Sequence, residues 1–182
     1  MSATELTRSC FLHGFMLALL LVLPVPALAQ RQAPESDLKA AILANMLHFV
    51  EWPESGLPPR GRLAICYFSD SAVATALVRL DGKVLRNQQL STIRTDATRL
   101  AQCHAVYLAP DDVAQFPDVL PALRAGGVLL TGDTPGLLDH GVMINLELVA
   151  GRVVFDVHLG AVRRAGLTLS SKALRLARTV LE

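Results

Sequence analysis

Aromatic side chains are scarce in this 182-residue chain: one Trp, two Tyr and six Phe make up 5% of it. Nucleic-acid surfaces interleave aromatics with basic residues, and the most basic stretch, from residue 151 onward, contains only Phe155. No nucleic-acid partner is expected. Catalytic signatures are missing as well: there is no G-x-S-x-G elbow, no H-E-x-x-H pair and no G-x-x-x-x-G-K-[ST] phosphate loop. Neither sign of charge dominates, with 17 basic against 16 acidic residues. No low-complexity tract or internal repeat is present, and the length suits one domain around one core.

The apolar run from Phe11 to Val25 follows Arg8 and ends at Pro24 and Pro26. At about 15 residues it is short for a bilayer-spanning helix, which needs roughly 20. Ala27-Leu28-Ala29 follows, with small residues where signal peptidase requires them. Residues 1–29 therefore read as a signal peptide, and 30–182 as an exported domain beginning at Gln30. Cys10 lies ahead of the apolar core, so there is no lipobox and no lipid anchor is expected.

Export changes what the cysteines mean. Only Cys66 and Cys103 remain after cleavage, and in an oxidising compartment they read first as one disulfide. A zinc or redox site is the competing reading, but neither cysteine has a C-x-x-C partner or a cluster of histidines nearby. Closing a loop of this length should contribute roughly 3–4 kcal/mol. No metal and no cofactor are expected.

Charge is unevenly spread. From residue 151, Arg152, Arg163, Arg164, Lys172, Arg175 and Arg178 face only Asp156 and Glu182, a net charge of +4, whereas residues 30–150 are net −3. This asymmetry suits a basic surface for an acidic partner or a membrane headgroup, or alternatively a solvated helix face with dipole-matched arginines.

Hydrophobic periodicity predicts the elements. A helix starts near Glu35-Ser36-Asp37 and runs to about Val50 through Leu38, Ala41, Ile42, Met46 and Phe49, ended by Trp52-Pro53. Gly56 to Gly61 is a loop. Strands are expected at Leu63–Phe68, Gln89–Arg94, Ala105–Leu108 and Val128–Leu130. Between them come a Ser71-capped helix to Leu80, a short Asp96-capped helix to Cys103, and a helix from Asp111-Asp112 to Arg124. This alternation indicates an α/β single domain, a three-layer-like, mixed but mostly parallel sheet with flanking helices.

After residue 140 the pattern becomes a C-terminal antiparallel hairpin, Met143–Leu148 and Arg152–Leu159 around Ala150-Gly151. Its period places Asn145, Glu147, Asp156 and His158 on a polar side, away from Val153, Phe155 and Val157. Gly160–Ala165 then forms a short helix ended by Gly166. Ser170 caps a last helix, Ser171 to Leu181, which carries Lys172, Arg175 and Arg178 away from Leu174, Ala177 and Leu181.

Two histidine–carboxylate combinations are candidates for chemistry. Asp139-His140 beside Asp133 lies in a loop at a strand end, but Gly132, Pro135, Gly136 and Gly141 explain it as a turn-rich connection. Asp156 and His158 point the same way along one strand, but an exposed polar face of an edge hairpin accounts for them better than a catalytic dyad. The chain is not expected to be an enzyme.

Three segments together resemble the YfiR family of periplasmic proteins. Asn45-Met46-Leu47-His48-Phe49-Val50-Glu51-Trp52-Pro53 is similar to its N-x-x-x-F-x-x-W-P signature. Gly141-Val142-Met143-Ile144-Asn145 with Gly151-Arg152-Val153-Val154-Phe155-Asp156-Val157 resembles its hairpin. Residues from Ala161 through Ala165-Gly166-Leu167-Thr168-Leu169-Ser170-Ser171-Lys172 to Leu174 resemble its C-terminal block.

The resemblance implies a periplasmic repressor that binds the periplasmic sensor region of an inner-membrane diguanylate cyclase and so lowers cyclic di-GMP and biofilm formation. It also implies an OmpA-like outer-membrane lipoprotein able to sequester the repressor. A periplasmic small-molecule binding protein feeding a membrane receptor is the alternative. Candidate contact residues are Trp52, Asn145, Asp156, His158, Lys172 and Arg175. An exposed hairpin edge makes a homodimer a further expectation.

Overall fold

The computed structural model describes residues 33–53, 61–117, 120–121 and 127–182. The expected signal peptide, most of the Gly56–Gly61 loop and the end of the helix expected to reach Arg124 lie outside them. The first helix, α1 (Glu35–Met46), begins after Pro34, whose carbonyl accepts from the amides of Asp37 and Leu38. Glu35 and Asp37 complement the helix dipole in its first turn. The buried face is Ala40, Leu43, Ala44 and Leu47, not the stripe through Leu38, which stays 39% exposed. Apolar residues nearly encircle this helix, so periodicity alone cannot select the face. Small Ala40 and Ala44 instead permit a close approach.

The helix also stops short of Val50. It tightens into a 3-10 turn at Leu47–Phe49 and extends into β1 (Val50–Glu51). Next come β2 (Arg62–Tyr67) and α2 (Ala72–Val78), whose Ser71 Oγ accepts from the Ala74 amide at 3.0 Å. A hairpin not anticipated from the sequence follows: β3 (Val84–Leu85) and β4 (Gln88–Arg94), joined by Arg86 and Asn87, both at positive φ. Two such residues make the turn whose twist matches antiparallel strands. In place of the Asp96-capped helix there is an Asp96 turn, whose carboxylate accepts from the Thr98 amide, and then a 3-10 turn at Leu100–Gln102. A 3-10 turn over Pro110–Gln115 likewise opens the segment expected to be a helix from Asp111.

Two further strands, β5 (Ala105–Leu108) and β6 (Leu129–Gly132), are buried at every residue, as central parallel strands must be. β7 (Ile144–Val149) and β8 (Arg152–His158) form the expected antiparallel hairpin, with Val149 opposite Arg152 across Ala150-Gly151. α3 (Leu159–Arg164) ends at Gly166, whose positive φ lets Leu167 N–H reach back to the Val162 carbonyl. β9 (Thr168–Leu169) and α4 (Ser171–Leu174) come next.

The last element departs most from expectation. Instead of a helix to Leu181, the chain straightens into β10 (Thr179–Leu181), parallel to β8 with Thr179 opposite Asp156 and Leu181 opposite His158. β-Branched Thr179 and Val180 favour this, and the Arg178 amide donates to the Phe155 carbonyl at 2.9 Å. The edge of β8 is therefore covered, and the exposed edge belongs to β10.

The main sheet has the order β10-β8-β7-β6-β5-β2-β4-β3. Only β7–β8 and β3–β4 pair antiparallel within it. The fold is thus a mixed, mostly parallel α/β sheet with flanking helices. Its five successive parallel strands, β2, β4, β5, β6 and β7, lie in spatial order 2-1-3-4-5, so the order of strand addition reverses between β2 and β5.

Candidate regulatory surface and its internal supports

The first and last resembling segments meet in space. β1 pairs antiparallel with β9, Val50 opposite Leu169 and Glu51 opposite Thr168, and the Ser170 amide donates to the Phe49 carbonyl at 2.8 Å. The aromatic residues of the first segment support this junction. The Arg86 guanidinium lies 5.4 Å from the centre of the half-buried Phe49 ring, a cation–π contact. Trp52 is half-buried and meets the His104 ring edge-on at 6.1 Å. Trp52 thus packs part of its surface against the core.

His104 ties Trp52 to the sheet. Its Nδ1 accepts from the Ala64 amide at 2.9 Å, while its own amide donates to the Ala64 carbonyl at 3.0 Å. Burial lowers the His104 pKa, which keeps Nδ1 free to accept. Beside this seam Cys66 of β2 and Cys103, 37 positions apart in sequence, form a disulfide with Cα atoms 5.7 Å apart. Both cysteines are buried.

The hairpin's polar side is a clamp and not an open face. Asn145 and Asp156 are opposite one another and both buried. Arg178 reaches back from just before β10, donating from Nε to Asp156 at 2.9 Å and from Nη2 to Glu147 at 2.7 Å, with a second Nη2 bond to Asp156. The Arg178 guanidinium holds the Asp156 carboxyl below its usual range against the opposing cost of burial. Asn145 Nδ2 lies 3.5 Å from Glu147.

His158 faces a different task from acid–base chemistry with Asp156. Its Nδ1 accepts from the Ala161 amide at 3.3 Å and so caps α3. Asp139 and His140 stay exposed, and the carboxylate expected beside them, Asp133, is engaged elsewhere. These groups form neither of the two dyads weighed from the sequence.

Asp133 belongs to a polar chain that the sequence did not reveal. Lys39 of α1 bonds to Asp133 at 3.0 Å and to Glu35 at 2.6 Å, while Tyr107 of β5 donates to the other Asp133 oxygen at 2.9 Å. Burial opposes the Lys39 charge, but its bonds to Glu35 and Asp133 outweigh that cost and raise its pKa. The Tyr107 hydroxyl is fully buried and pushed far above its ordinary value, so it remains a donor. The only local signal was an i,i+4 Glu35/Lys39 pair; Asp133 is 94 residues from Lys39.

Of the candidate contact residues, Lys172 and Arg175 remain fully open. Both are exposed, beside Leu176, which is 68% exposed, and neither forms an ion pair among the described residues. The basic helix is therefore corrected to a basic turn at the C-terminal end of the sheet. Arg163 pairs at the surface with Glu182, and Arg178 is drawn onto Glu147 and Asp156.

The chain belongs to the YfiR/HmsC-like family, whose profile matches residues 36–178. The family is one of periplasmic regulatory proteins. Among the described residues no helix is long and apolar enough to cross a membrane. Among solved structures, a conserved domain protein of Vibrio cholerae is similar at TM-score 0.55 and 11% identity. The ABC domain of a Streptococcus pneumoniae protein, solved in complex with L-Trp, is similar at TM-score 0.50 and 8% identity. Each match covers 80% of this chain and 60% of the other, so the chain spans about three fifths of their length; the likeness is one of fold.

Proposed function

We propose that this protein represses an inner-membrane diguanylate cyclase by binding its periplasmic sensor region, lowering cyclic di-GMP and biofilm formation. The reading rests on family membership across residues 36–178. Residues 1–29 act as a cleaved signal peptide, and the exported domain begins at Gln30. An OmpA-like outer-membrane lipoprotein that sequesters the repressor completes the circuit.

The contact surface in this reading is the C-terminal end of the sheet. Lys172 and Arg175 supply long-range attraction to an acidic sensor region, and exposed Leu176 supplies apolar area beside them. Asn145, Asp156 and His158 act from inside by fixing the strands that present this surface. Trp52 does so through the β1–β9 ribbon. A second copy would add at the exposed β10 edge.

The test is affinity purification of the tagged protein from solubilised membranes. A membrane protein with a cytoplasmic GGDEF domain should be recovered with the wild type. Recovery should fall with a Lys172→Glu/Arg175→Glu variant of unchanged melting temperature. Absence of any such protein from the wild-type eluate would overturn the reading, and undiminished recovery by the charge-reversed variant would remove the assigned surface.

A further inference from the structure

Open α/β sheets bind ligands in the crevice outside the carboxyl ends of their strands, where the strand order reverses. In this protein that place is occupied by a cavity of about 330 Å³. Its wall combines residues following β2 (Phe68 and Ser69), the end of β4 and its following turn (Arg94 to Ala97), Leu108 of β5, and Asp112 and Gln115. The volume is at the small end of the range for ligand pockets, roughly 300–1,000 Å³. By the ~30 Å³ a water occupies in the liquid, it has room for about ten waters. None of the regulatory contacts described above uses it.

The charges on this wall are of opposite signs and unequal depth. Asp112 is 4% exposed, with Oδ2 held by the Ala109 amide at 2.8 Å. That bond fixes the carboxylate and, among the described residues, engages only one of its oxygens. Asp96 adds a second carboxylate at the rim, held ionised with its pKa lowered to about 2 by bonds from Thr98 and Arg99. The guanidinium of Arg94 is exposed and drawn outward to Asp70 at 3.1 Å. The deep charge is therefore negative, and the positive one lies at the mouth with a partner of its own. Phe68, Ala97 and Leu108 supply an apolar wall between them.

We propose that this cavity binds a small aliphatic amine, with the ammonium group on the second carboxylate oxygen of Asp112 and the hydrocarbon stem against Phe68, Ala97 and Leu108. A buried carboxylate with an open oxygen gains a charge-assisted hydrogen bond from such a cation, and a stem of a few carbons fits the volume. The site is distinct from the C-terminal surface, so the protein carries a small-molecule input separate from its macromolecular contact. This inference depends on the cavity alone and not on the identity of the membrane partner.

Two isosteric probes of opposite charge, n-butylamine and butyrate, test it by NMR titration of the isotope-labelled protein. Butylamine should shift the amide signals of Ser69, Ala97 and Asp112 saturably, and butyrate should not. Asp112→Asn keeps an acceptor for the Ala109 amide but removes the charge. It should weaken butylamine at least about tenfold, the size of a lost charge-assisted hydrogen bond. Ala97→Leu, which fills the cavity from its edge, should abolish binding even if Asp112→Asn folds poorly. Binding of butyrate in preference to butylamine would overturn the proposal and place an anion site at Arg94. Binding of neither probe, or equal butylamine affinity in both variants and the wild type, would also overturn it.

Discussion

The middle of the sheet and its C-terminal end are held together by different forces. Around β2, β5 and β6 the strands are apolar on both faces, and the Cys66–Cys103 disulfide crosslinks the seam beside His104. At the other end, β10 is three exposed residues laid against β8, secured by backbone pairing and by Arg178 on Asp156 and Glu147. Apolar burial and a covalent bond make the first region hard to remodel. Backbone pairing and one side chain hold the second. A regulator needs both, a fixed frame and an end that a partner can engage at low cost.

The sharpest way to break this contrast is to cut the covalent link. A Cys66→Ser/Cys103→Ser variant should lose roughly 3–4 kcal/mol, lowering the melting temperature by on the order of 10 °C. Calorimetry of the oxidised wild type against this variant measures it. Equal melting temperatures would mean that the frame does not depend on its crosslink.

Next in size is the polar chain that pins α1 to the sheet. Lys39→Met leaves half-buried Asp133 with only Tyr107 among the described residues and should cost about 1–3 kcal/mol in chemical denaturation. A loss of that size would extend the rigid region from the strands to α1. No loss would restrict it to the strands.

Arg178→Gln sharpens the comparison at its soft end. Amide exchange of β10 should accelerate while the amides of β2 and β5 stay protected. Uniform acceleration across the sheet would show that the two regions unfold as one unit. Acid should act in the same direction. The Asp156 pKa is depressed in the folded state, so its contribution is present above the unfolded value near 4 and is lost as pH falls through the folded one.

The subtlest effect reports on the fixed frame from inside. Trp52 is the sole tryptophan and touches His104. Burial depresses the His104 pKa, so its contribution to stability is full above the unfolded value near 6.5 and lost as pH falls below it. Trp52 fluorescence should titrate with a midpoint below 6.5, and His104→Gln should flatten that titration. A midpoint above 6.5 would mean that the ring gains its proton in the folded state and cannot accept from Ala64.

The same division explains what could be read from the sequence. β2, β5 and the β7–β8 hairpin announce themselves through unbroken apolar runs, or through alternation around Ala150-Gly151, since burial on two faces or one imposes those patterns. β10 and β3 have two or three residues each, too few to carry a period, and neighbouring strands select them. Alternation correctly put Asp156 in phase with His158, but it could not show that Arg178, 22 residues later, would fold back and cover it. Lys39 looks like a surface helix residue until Asp133 arrives from 94 positions away. Likewise Asp112 looked like the start of a helix, and only the sheet order shows that it borders a crevice.

Cellular cyclic di-GMP is the most direct test of the regulatory account. Deleting the gene should raise its level, and overexpressing the protein should lower it in a strain that retains the membrane cyclase. An unchanged level under both conditions would contradict the account.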